Sequence, residues 1–101
     1  MNKSNKKPRN MELYEAILSL ETVEECTKFF DDLCTVSELR AMEQRFEVAR
    51  LLNAGHIYNE ILETTGASSA TISRVNRSLQ YGADGYTAVF ERLGAVKEDK
   101  N

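Results

Sequence analysis

Apolar residues recur at three- and four-residue intervals along most of the chain and nowhere alternate over the length of a strand. Met11, Tyr14, Ile17 and Leu18 open the pattern, which resumes after Thr22 with Val23, Cys26, Phe29, Phe30 and Leu33. That spacing gathers apolar side chains on one face of a helix. Thr22 followed by Glu25 has the spacing of a capping box, in which a hydroxyl and a carboxylate cover the first free N–H groups of a helix. Thr35 with Glu38 repeats it, and Leu39, Met42, Phe46, Ala49 and Leu52 then form one stripe until Gly55 stops the longest predicted helix. A short helix is predicted over about 57–64 before Gly66, and another from near Ser68 to about Gln80. Tyr86, Val89, Phe90 and Leu93 make a last short helix closed by Gly94. The one proline, Pro8, precedes them all, so an all-α fold is expected.

Residues 1–10 are polar and aperiodic, and read as a flexible basic arm: either a solvated tail or a strand of charge laid on DNA backbone. Residues 95–101 read as a flexible tail. Between them, 11–94 make one helical domain. A chain of 101 residues builds only a marginal core alone, which makes a second subunit plausible. No apolar run approaches the roughly 18 to 20 residues that span a bilayer, and no signal-peptide pattern follows the basic start. A cytoplasmic protein with no membrane partner is expected. Cys26 and Cys34 fit small packed hydrophobes better than a disulfide. With the lone histidine His56 and no CxxC pair, a metal site lacks ligands.

The net charge of −3 argues against a nucleic-acid partner until it is divided along the chain. Lys3, Lys6, Lys7 and Arg9 give the arm +4, which leaves −7 on the remainder, much of it at Glu21, Glu24, Glu25, Asp31 and Asp32. Residues 66–83, by contrast, carry Arg74 and Arg77 and no carboxylate. The acidic pairs have no nucleophile, phosphate loop or histidine beside them, so they read as a solvated face and no enzyme is expected.

That acid-free stretch, TTGASSATISRVNRSLQYG, has the layout of a helix-turn-helix over about 58–80. Ile61, Ala67, Ile72 and Val75 supply apolar groups where two helices meet, and Gly66 can take the positive φ of a tight turn. The opposite side of the second helix bears Ser68, Ser69, Ala70, Ser73, Arg74 and Arg77. Small side chains let a helix enter a major groove, and arginines reach phosphates or guanine edges. None of Ser69, Ala70 and Ser73 makes a bidentate base contact, which leaves water bridges, thymine methyls and DNA shape for specificity. Asn59 and Asn76 are the remaining candidates for direct polar contact. Tyr58 suits packing and phosphate contact equally. The plainer alternative is a helical hairpin whose outer face is merely polar.

Residues 33–79, LCTVSELRAMEQRFEVARLLNAGHIYNEILETTGASSATISRVNRSL, resemble the Trp repressor family, whose corresponding segment ends in ATITRGSNSL. With RSLQYGADGY following, the chain is most similar to the YerC/YecD group of Trp repressor-related proteins. The resemblance implies an intertwined all-helical homodimer in which outer helices of two chains share one core and two DNA-reading heads project. It also implies a two-fold site on double-stranded DNA. In helix-turn-helix dimers, the Trp repressor among them, the half-sites lie about one helical turn, roughly 34 Å, apart.

In the family the indole of tryptophan lies between two arginines beside a glycine. By motif the arginines fall on Arg45 and Arg74, and Thr35, Thr71 and Ser78 match other pocket-side positions. The glycine is replaced by Val75. A branched side chain protruding there works against close approach of the ring, so no cofactor is expected, tryptophan included, although another small effector stays open. Arg74 then faces phosphate, and Arg45 pairs with Glu43, Glu47 or Glu15. Phe29, Phe30, Phe46 and Phe90 are expected in the core and His56 at the surface. The sequence therefore predicts a sequence-specific, dimeric transcriptional regulator. The alternative is a helical protein–protein interaction module whose helix-turn-helix no longer binds DNA.

Overall fold

The computed structural model describes residues 8–94, so most of the basic arm and the whole tail lie outside the described residues. Six α-helices follow one another, and the described residues hold no strand: α1 Met11–Leu18, α2 Val23–Leu33, α3 Val36–Asn53, α4 Tyr58–Thr65, α5 Ser69–Tyr81 and α6 Gly85–Leu93. They fall into two compact units, one through Val36 and one from Ser37.

In the first unit, local capping sets the helix starts. The Asn10 side chain accepts the Leu13 N–H at 3.3 Å. The Thr22 hydroxyl accepts the Glu25 N–H at 3.0 Å, and the Glu25 carboxylate reaches back to the N–H of Glu21 at 2.9 Å. This is the capping box expected from the sequence, with the return bond displaced by one residue. Neither helix buries a single residue. Leu18 is 84% exposed and Val23 81%. Phe29 and Phe30, expected in the core, meet edge-on at 5.7 Å and are only half-buried. Both stripes are present, with Leu18, Val23 and Leu33 exposed and Phe29 and Phe30 half-buried.

The second unit has a core of its own. Val48, Ala49 and Leu51 of α3, Ile61 of α4, Ala67 of the turn, Ile72 and Val75 of α5 and Phe90 of α6 are all buried in one cluster. Leu52, Leu62, Leu79 and Tyr86 pack around it. Phe90 is the largest wholly buried side chain, with the Phe46 ring at 5.5 Å and the Tyr86 ring stacked at 5.9 Å. Phe46 itself is 38% exposed, so of the four phenylalanines only Phe90 is fully enclosed.

Two features fix the passage from α5 to α6. Its last turn passes so close to Gly82 that a Cβ there would lie 2.4 Å from the Ser78 carbonyl oxygen, which excludes any other residue without a shift. Two residues on, Asp84 takes the left-handed conformation at φ 69°, the one such non-glycine among the described residues, and α6 starts from it without a side-chain cap.

Candidate nucleic-acid interface

The α4–α5 turn is held by a closed set of hydrogen bonds. Thr65 donates its hydroxyl to the Ile61 carbonyl at 2.7 Å and accepts the Ala67 N–H at 3.1 Å. Gly66 turns the chain at φ 73° and donates its N–H to the Leu62 carbonyl at 2.9 Å. The Gln44 amide, projecting from α3, donates to the Thr65 carbonyl at 3.2 Å. Ser68 then caps α5, its hydroxyl accepting the Thr71 N–H at 3.1 Å and donating to the Thr71 hydroxyl at 3.1 Å. Gln44 and Thr65 were not evident in the sequence pattern; threonine directly before the turn glycine was the available signal.

Helical spacing divides α5 cleanly. Ile72 and Val75 are buried and Leu79 half-buried on the inward side. Ser69, Ala70, Ser73, Arg74 and Arg77 are exposed on the other, continuous with exposed Ser68. Asn59 is exposed at the start of α4. Asn76 lies half-buried on the flank, less accessible than Ser73 and Arg77. Among the described residues neither Arg74 nor Arg77 takes part in an ion pair. The outer face of α5 is thus a small-residue strip with two uncompensated cations, suited to close approach by an anionic polymer.

The expected effector-side residues belong to different elements. Thr35 is exposed and belongs to the first unit, Arg45 is exposed on α3, and Thr71 is half-buried with its hydroxyl engaged in the cap. Ser78 lines an apolar groove of about 510 Å³ with Phe46, Gly82, Ala83, Gly85, Tyr86 and Val89, which the sequence pattern did not reveal. Arg45 does not pair with Glu47 as expected. Arg50 takes that carboxylate in a two-pronged contact at 3.1 and 3.2 Å. The reason is spacing: residues three apart share a helix face and residues two apart do not. The Arg50 hydrogen bonds hold the Glu47 carboxyl below its usual range, against a smaller opposing effect of burial.

Val75 packs with Ile61, Ala67 and Ile72 as the helix-turn-helix spacing predicts, and departs from the protruding position inferred from the family motif. It does not protrude: it is 2% exposed and belongs to the core cluster, because its position on α5 falls on the same inward stripe as Ile72. His56 is at the surface as expected. Cys26 and Cys34 are free thiols, half-buried. No three metal-binding side chains converge among the described residues, and no described helix is long and apolar enough to cross a membrane.

The family model for the Trp repressor protein matches residues 10–94. The chain belongs to the Trp repressor family. An uncharacterized protein of Bacillus subtilis strain 168 named YerC is 52% identical over 90 residues, which cover 89% of this chain and 86% of that protein. A TrpR-like protein of Eubacterium eligens is 52% identical, with a TM-score of 0.86 over 96% of this chain and all of that one. A Staphylococcus aureus protein described provisionally as a Trp repressor is 47% identical, with a TM-score of 0.84 over 94% of this chain and 96% of that one. Trp repressor-like proteins are regulators and not enzymes, and the all-α fold expected from the sequence is that of the family.

Proposed function

We propose that this protein is a sequence-specific DNA-binding transcriptional regulator of the cytoplasm, acting as a homodimer through residues 58–80 and without tryptophan. The observation that carries the reading is the outer face of α5: exposed Ser69, Ala70 and Ser73, with Arg74 and Arg77 free of ion pairs and no carboxylate between residues 66 and 83. Arg74 and Arg77 grip phosphate, Ala70 touches a thymine methyl, and Ser69 and Ser73 work through bridging water. Membership of the Trp repressor family supports the same assignment.

The uncovered stripes of α1 and α2 favour a second copy of the chain as their cover, since isolated helices with no buried residue have little to hold them. Tryptophan is disfavoured because this chain has Val75 where the family motif has a glycine. If some other small effector acts, Ser78 and the apolar groove beside it are the place to seek it.

One observation favours a second reading, a protein–protein interaction module: outside the first ten residues the chain carries a net charge of −7. Titrating duplex DNA with protein across salt concentrations separates the two. The regulator binds at about 50 mM salt and weakens linearly in log affinity against log salt. The interaction module ignores duplex DNA even there.

A further inference from the structure

The turn between α3 and α4 carries the one histidine of the sequence. Gly55 reverses the chain at φ 97°, and the His56 N–H donates to the Leu51 carbonyl at 3.0 Å, so His56 is fixed against the end of α3. Its Nδ1 lies 3.2 Å from Glu60 Oε1. The same oxygen accepts the Ile57 N–H at 3.3 Å. Ile57 is the N-cap residue of α4 and has no side-chain acceptor, so the Glu60 carboxylate does the capping. One carboxylate oxygen therefore serves both the imidazole and the first turn of the helix-turn-helix.

On the flanking elements, Glu47 and Arg50 of α3 compensate each other, and α4 carries Tyr58 and Glu63 besides Glu60. Imidazole is the side chain whose charge ordinarily changes between about pH 5 and 8; carboxylates, phenols and guanidinium groups ordinarily titrate outside that window. With neutral His56 the pair carries the full negative charge of Glu60. With protonated His56 the pair is neutral. The first helix of a helix-turn-helix crosses the DNA backbone, so this change falls close to phosphate.

We infer that the His56–Glu60 pair makes DNA binding proton-linked, the affinity rising as the pH is lowered. The inference rests on the DNA-binding reading above. Its sign follows from linkage: a polyanion binds the protonated pair more tightly, so binding takes up a proton and is favoured where protons are available. Because the sequence has a single histidine, replacing it isolates the effect.

The test is duplex affinity of the full chain at pH 5.5, 6.5 and 7.5 and about 50 mM salt, by fluorescence anisotropy, for wild type, His56→Gln and Glu60→Gln. Wild type binds at least about threefold more tightly at pH 5.5 than at 7.5, and His56→Gln loses that rise. Glu60→Gln keeps a side-chain oxygen for the cap, removes the acid, and binds more tightly than wild type at pH 7.5. Wild-type affinity independent of pH, or an undiminished rise in His56→Gln, overturns the inference and leaves the DNA-binding reading standing. No binding at any pH overturns both.

Discussion

The Ser68 hydroxyl accepts the Thr71 backbone N–H at 3.1 Å, and that single bond sets where the outward helix of the motif begins. Ser68 is also exposed beside Ser69 and Ala70, so cap and candidate DNA face meet in one residue. The two roles separate by substitution. Ser68→Ala lowers folding stability by about 1 kcal/mol, read by urea denaturation. Ser68→Asp keeps a capping oxygen and near-normal stability, yet it turns a negative charge toward phosphate and weakens duplex binding by at least about tenfold.

Arg77→Ala leaves stability within about 0.5 kcal/mol of wild type, because the side chain is exposed and outside any ion pair. Its DNA affinity falls for every sequence tested, and the slope of log affinity against log salt drops by about one for each bound protomer. An unchanged slope would assign Arg77 elsewhere.

Phe90→Ala removes the largest wholly buried side chain and costs about 3 to 5 kcal/mol, a large share of the stability of a small domain. Phe90→Leu, which keeps most of the volume, loses less. Thermal unfolding of both variants followed by circular dichroism ranks them.

Asp84→Gly raises stability by up to about 1 kcal/mol, since glycine holds φ near 69° without the crowding an L side chain brings, offset in part by its freer unfolded state. Asp84→Val, β-branched at positive φ, loses more than about 1 kcal/mol. Equal unfolding midpoints for the two would remove the conformational argument.

What the sequence revealed was local. The starts at Thr22 and Ser68 and the stops at Gly55, Gly66 and Gly94 are each set by residues within a turn of one another, so spacing alone located them. The outward set on α5 followed from the same periodicity. Burial was less legible, because it depends on what arrives from elsewhere: Phe29 and Phe30 have the right stripe and are only half-buried. Val75 belongs to two patterns at once, the inward stripe with Ile72 and the ligand-side position taken from the family motif, and packing decides for the first. Choosing among acids near Arg45 overlooked that Arg50, three residues on, shares the face of Glu47. The left-handed Asp84 was hidden between flexible neighbours, Gly82 and Gly85, either of which could have absorbed the turn.

The most direct test of a DNA-reading α5 is selection by the purified full-length protein from a pool of random duplex DNA at about 50 mM salt, with and without tryptophan. The account predicts enrichment of one two-fold sequence, the same in both arms, with half-sites about one helical turn apart. A pool that stays random in both arms would contradict it.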